Sequence, residues 1–209
     1  MSSKAPFPIL YEDAELLVID KPAGLAVHPG PKTPRSLEDH LGALRLGYRR
    51  LPAPAHRLDR DTSGCLILAR NPKALKWMHA LFEAKGVTKV YLALLAGRVE
   101  GQGTIDAPLA KISSKEEGWR MIVRKDGKPS VTNWRALKTG DSRSLVEFRP
   151  ETGRTHQLRI HAAHALAPII GDPVYGDATE PMRLHASEVA FGWRGRRIEA
   201  KCGAPFPTD

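Results

Sequence analysis

The sequence predicts an α+β fold on a mixed, mainly antiparallel sheet core with flanking helices, and three observations predict it. Apolar runs of strand length outnumber helical stretches. Several strand candidates follow one another with no helix between them, which antiparallel pairing permits and a regular βαβ array does not. The 209 residues, 42% of them hydrophobic, are enough to bury one core of ordinary size.

From the N-terminus, ELLVID (15–20) is a short apolar run of strand length. The stretch 20–35, DKPAGLAVHPGPKTPR, is dense in Pro and Gly and reads as a shaped loop. SLEDHLGALRLG (36–47) predicts a helix, and CLILA (65–69) a buried strand. NPKALKWMHALFEAKG (71–86) predicts a helix with clear punctuation: Asn71 at the N-cap, Pro72 at the first helical position and Gly86 at the end. VYLALLAG (90–97), VTNWRAL (131–137) and SLVEF (144–148) predict three more strands. The charged stretch 110–130 reads as a mobile excursion. TGRTHQLRIHAAHAL (152–166) predicts a third helix, entered by a turn at Gly153 and capped near Thr155. No repeat, low-complexity tract or linker interrupts the chain, so a single catalytic domain over 1–209 is expected.

Lys and Arg outnumber Asp and Glu by 32 to 23, for a net charge of +9. Gathered on one face, that excess suits a polyanion; spread evenly, it makes only a basic soluble protein. Cys65 and Cys202 lie far apart in sequence without a CxxC pair, so they read as thiols rather than a disulfide frame or a zinc site. No apolar run approaches the ~20 residues that span a bilayer. The N-terminus has no signal-peptide apolar core, and a cytoplasmic location with no membrane partner is expected.

HRLDRDTSG (56–64) places five ionisable side chains in nine residues before an apolar strand. Asp59 and Asp61 can simply organise the turn. Equally, Asp59 stands between Arg57 and Arg60, which can keep it ionised as a nucleophile or base. Ser63 lacks the Gly two residues earlier that a nucleophile elbow needs. In HQLRIHAAH, His161 and His164 share a helix face, but no acidic or cysteine ligand stands nearby and no metal is expected. Arg154 beside a helix N-terminus suits an anion such as an RNA phosphate. Arg159 sits about 100° round the helix from the core-facing Leu158, where it can enter a site or be an ordinary solvated arginine. Tyr91 falls on the opposite face of its strand from Val90 and Leu92, as a core tyrosine or as a flat surface for a base.

Together and in this order, these segments resemble RNA pseudouridine synthases of the RluA type over nearly the whole chain. YEDAELLVIDKPAGLAVHPG, HRLDRDTSGCLILA, TKVYLALLAG, GKPSVTNW, RPETGRTHQLRIHAAHALAPIIGDPVYGD and MRLHA carry the likeness. The resemblance implies a central RNA-binding cleft, no cofactor, and isomerisation of uridine to pseudouridine in ribosomal or transfer RNA stem-loops. It implies that Asp59 is the catalytic aspartate, that Tyr91 packs against the target uracil, and that Arg159 pairs with the carboxylate. Arg57 is implied to engage RNA and Leu184 to line the base pocket, and the same motif offers Arg154, His156 and Gln157 to the substrate. The first motif begins by residue 11, so no N-terminal S4 domain is expected, and a monomer is expected. Two rivals are a catalytically inactive RNA-binding protein or chaperone, and a nucleosidase with Asp61 as its second carboxylate.

Overall fold

The computed structural model describes residues 5–30, 33–114 and 118–208. Within them the chain forms two compact units, one up to Lys89 with Ala186–Ala204, the other Val90–His185 with the segment from Pro205.

The first unit is built on β1 (Ile9–Glu12), β2 (Leu16–Lys21), β3 (Ala53–Pro54) and β4 (Ser63–Ala69). β2 pairs antiparallel with β1 and with β4, and β3 adds to β4. Leu16–Ile19 and Leu66–Leu68 are completely buried, so these runs are continuous rather than alternating because both faces are covered. The helix α1 (Pro72–Glu83) starts as its sequence predicts, with the Asn71 side chain accepting from Ala74 N at 2.9 Å. Its Ala74 and Met78 pack on Ile67 and Ala69 in the core of the unit.

The predicted helix over 36–47 is replaced by two 3₁₀ turns, Leu37–His40 and Ala43–Arg45. Gly42 falls between them, and Leu46 and Gly47 both adopt positive φ. Each glycine costs a helix about 1 kcal/mol relative to alanine, and here two fall within twelve residues.

The chain enters the second unit along β5 (Val87–Ala96). There follow β6 (Gln102–Asp106), β7 (Leu109–Ser114), β8 (Gly118–Val123), β9 (Val131–Thr139) and β10 (Arg143–Pro150). β5, β10, β9 and β6 pair in that order, all antiparallel. β7 and β8 form a hairpin of their own, with Lys111 opposite Met121 and Ser113 opposite Trp119. The stretch 110–130 is therefore sheet over much of its length, not a loose excursion. The helix α2 (Gln157–Ala165) lays Leu158 and Ala162 on Phe148, Val146 and Leu95.

The chain returns to the first unit along β11 (Leu184–Trp193), and β12 (Arg196–Lys201) pairs antiparallel with β11. The return brings Cys202, 137 residues from Cys65 in sequence, to 3.4 Å sulfur to sulfur, the two not joined by a disulfide.

Candidate active site

The HRLDRDTSG segment is a turn feeding β4, closed by a bond from Thr62 N to Asp59 O at 3.2 Å. Asp59 lies half-buried at its start. The cation that organises this turn is one that sequence reasoning missed. Lys21 is fully buried at the end of β2, opposite Gly64. Its Nζ donates to the carbonyls of Pro22 at 2.8 Å, Leu25 at 2.7 Å and Arg60 at 3.2 Å, tying the loop after β2 to the Asp59 turn. Burial pushes the Lys21 ammonium down to about 8, against the opposing pull of Asp61, Asp59 and Asp20.

Arg60 does not flank Asp59 in the way its position suggests. Its Nε and Nη2 grip the two carboxylate oxygens of Asp61 at 3.0 Å each. Arg57 is exposed. His56 serves the scaffold: Ile67 N donates to its Nε2 at 3.0 Å, which leaves the proton on Nδ1. Burial, with Lys89 adding to it, takes this imidazole down to about 3, so it stays neutral. Gly64 has φ +110, and a Cβ there would lie 2.2 Å from the carbonyl oxygen of Ala186. No other residue allows β4 so close to β11.

In the second unit, Tyr91 stands opposite Phe148 in the β5–β10 register and is half-buried. It packs on the apolar cluster that contains Leu184, itself 3% exposed. Arg159 is not the solvated arginine that its type makes common. It is buried, and its Nε and Nη2 donate to Oδ2 and Oδ1 of Asp172 at 2.7 Å each. Its guanidinium also lies 5.3 Å from the centre of the Tyr175 ring. Asp172 accepts further from Val174 N at 2.9 Å and Tyr175 N at 3.0 Å. Burial alone would raise its pKa, yet Arg159 and the two amides hold it below the usual carboxylate range. Asp172 was not singled out from the sequence; the signal was GDPVYGD, whose Asp-Pro opens a turn.

The entry to α2 differs from the expected cap at Thr155. The N-cap residue is His156, at φ +55 and without a side-chain cap bond. Its Nδ1 lies 3.1 Å from Tyr175 Oη. Gln157, expected to face the substrate, is buried and committed to its own loop. Its Oε1 accepts from Thr152 Oγ1 and Arg154 N, and its Nε2 donates to Val131 O and Thr132 Oγ1. An amide has four such positions, and the protein fills them all. Arg154 is exposed, with Nε donating to Pro129 O at 3.3 Å. His161 also belongs to the scaffold: its Nε2 donates to Ala107 O at 3.0 Å and its Nδ1 meets Thr132 Oγ1 at 2.9 Å.

The first unit thus offers a half-buried carboxylate, Asp59; the second offers, by itself, a buried arginine locked in one orientation and a tyrosine ring beside an apolar wall.

Comparison with known proteins identifies the pattern. The family model described as RNA pseudouridylate synthase matches residues 15–164. An uncharacterised RNA pseudouridine synthase of Zymomonas mobilis is 48% identical over 208 residues, covering 95% of this chain and 93% of that protein. A protein of Xanthomonas campestris named ribosomal large subunit pseudouridine synthase D is 42% identical over 204 residues, covering 93% of this chain but only 59% of its own length. Among solved structures, the human protein RNA Pseudouridylate Synthase Domain Containing 1 superposes with a TM-score of 0.82 at 29% identity, over 97% of this chain and 85% of that one.

Proposed function

The chain belongs to the RNA pseudouridylate synthase family, and from that premise we propose that Asp59 is the carboxylate with which it isomerises uridine in RNA. The observation that carries the assignment is the Asp59 turn. Lys21, Gly64 and the pairing of β2 with β4 give this short polar segment a fixed backbone, so a single carboxylate can be held in one place.

The reaction breaks the N1–C1′ bond of uridine, turns the uracil, and joins its C5 to C1′. The proton lost from C5 is balanced by one gained at N1, so substrate and product are isomers and no redox partner is consumed. Asp59 acts on the sugar, either attacking C1′ or removing the 2′ proton. Arg159 is assigned the task of keeping that carboxylate ionised and aimed. Its seat on Asp172 suits it to this, because a guanidinium fixed by two bonds loses little freedom when it engages a further group. Tyr91 offers its ring to the detached base, and Leu184 contributes apolar wall.

The target base has to leave its stack first, at a cost of a few kcal/mol. Single-stranded loops of structured RNA, where bases are already splayed, are the favourable substrates. Large-subunit ribosomal RNA is the leading candidate, supported by the names of relatives such as the Xanthomonas protein, with transfer RNA stem-loops second. Arg57 and Arg154, both exposed, are assigned to phosphates.

The test is pseudouridine mapping across total RNA from cells with and without the gene. One or a few sites that vanish on deletion, and return with the wild-type gene but not with Asp59→Asn, are expected. An identical map in both strains would remove the proposal.

A further inference from the structure

The hairpin β7–β8 carries a feature that the reaction itself does not use. Beside it runs a groove of about 570 Å³, lined by Lys111, Trp119, Lys128, Gly153 and Arg154 among others. Trp119 is 42% exposed, a large apolar surface to leave in water. It is nonetheless held in place, with the His156 ring against it edge to face at 5.1 Å. Lys111 Nζ sits over the indole at 5.7 Å.

Among the described residues, the charges around this indole are unbalanced. Lys111, Lys128 and Arg154 supply three cations, and the acidic residue of the lining, Asp126, is bound by Arg124 Nε at 2.5 Å. The positions are built rather than incidental. Lys128 exchanges both backbone bonds with Leu109, at 2.9 and 2.8 Å. That approach requires Gly127, where a Cβ would lie 2.6 Å from the Leu109 backbone. Met121 N donates to Tyr175 Oη at 3.1 Å, which braces the hairpin against the residue whose ring faces Arg159.

A flat exposed indole with cations at its rim matches a nucleotide, whose base has a π-face and whose phosphate is an anion. We propose that this groove binds one unpaired nucleotide of the RNA substrate, its base stacked on Trp119 and its phosphate met by Lys128 and Arg154. Lys111 would then turn from the indole toward the backbone or cover the base from above. The inference rests on the isomerase reading for the identity of the polyanion, and it adds a subsite outside the reacting base.

The experiment uses the full chain and an eight-residue single-stranded oligouridylate at fixed salt, with tryptophan fluorescence as the signal. The oligonucleotide should quench wild-type emission, and Trp119→Phe should abolish most of that quench while keeping affinity within about threefold, because phenylalanine still stacks. Trp119→Leu, which removes the π-face at a half-exposed position, should weaken binding about tenfold. Lys128→Gln should lower the log–log salt slope by about 0.7, one phosphate contact on a single strand. Wild-type affinity in Trp119→Leu, an unchanged quench in Trp119→Phe, or equal quenching by a polyglutamate peptide would each overturn the proposal. Tritium release from RNA labelled at uridine C5 separates this from the isomerase reading: a wild-type enzyme that releases none defeats that reading whatever the oligonucleotide does. Turnover by wild type together with undiminished binding by Trp119→Leu defeats the Trp119 site alone.

Discussion

Arg159 and Asp172 form a two-pronged ion pair, 2.7 Å on each arm, with the arginine side chain 6% exposed and the aspartate fully buried. Removing one partner of such a pair strands a charge in the interior and costs about 3–5 kcal/mol. Asp172→Ala is expected to lose that much in urea unfolding and to lose activity with it. Arg159→Lys keeps the charge but reaches with a point rather than a fork, so activity should fall strongly while most of the fold persists. A loss below about 1 kcal/mol for Asp172→Ala would mean that the arginine is satisfied without it.

The same pair sets an acid limit. Arg159 and the amides of Val174 and Tyr175 hold the Asp172 carboxyl below the value it has in the unfolded chain, which is about 3.9. Its contribution is therefore complete above about pH 4 and is lost as pH falls through the lower folded value. Wild-type stability should decline below pH 4 more steeply than that of Asp172→Asn, measured as urea midpoints between pH 6 and 3. Parallel curves would remove Asp172 from the acid response.

Lys21 works in the opposite direction. Its folded value of about 8 lies below the ordinary 10.5, so the unfolded chain binds the proton more tightly. The burden of a buried charge is present below about pH 8 and is relieved as pH rises toward 10.5. At 1.36 kcal/mol per unit, wild type should gain roughly 3 kcal/mol relative to Lys21→Met over that window. The variant should still be less stable at pH 7, because three carbonyls lose their donor. A stability difference independent of pH would show that folding leaves the proton affinity of Lys21 unchanged.

What the sequence made legible was local. The helix α1 was readable because Asn71 and Pro72 punctuate it, and β2 and β4 because their apolar runs are uninterrupted. The turns at 37–45 were not, since Leu37 and Leu44 mimic helical spacing while Gly42 and Gly47 break it. The hairpin β7–β8 was hidden because charged residues such as Lys111 and Arg120 interrupt the apolar pattern of its strands. The motif residues Asp59, Tyr91 and Arg159 stood out because side-chain types are visible in one dimension. Their supports did not: Lys21 takes its role from carbonyls as far away as Arg60, and Asp172 from an arginine on another element. Nor did the meeting of Cys65 with Cys202, which depends on where β12 ends.

Tyr91 separates packing from chemistry. Its ring faces the cluster of Phe148, Leu158 and Leu184, so Tyr91→Phe should keep stability and RNA affinity while turnover falls. Tyr91→Ala should lower all three, with roughly 3–5 kcal/mol lost if the strand cannot close over the gap. Wild-type single-turnover rates in Tyr91→Phe would limit the residue to packing.

Asp59→Asn is the sharpest comparison, because asparagine nearly matches aspartate in shape. The turn is closed by backbone, Thr62 N to Asp59 O, and anchored by Lys21 on Arg60 O, so neither bond needs the carboxylate. If Asp59 only shapes the turn, the variant should work almost normally. If it attacks C1′ or takes the 2′ proton, no turnover above background is expected, since a neutral amide can do neither. RNA affinity should stay within about threefold of wild type, because phosphate contacts come from other residues. Tritium release from RNA labelled at uridine C5 reports the step directly, as C5 surrenders its hydrogen when it bonds to C1′. Release by Asp59→Asn at even a tenth of the wild-type rate would place the chemistry on another group.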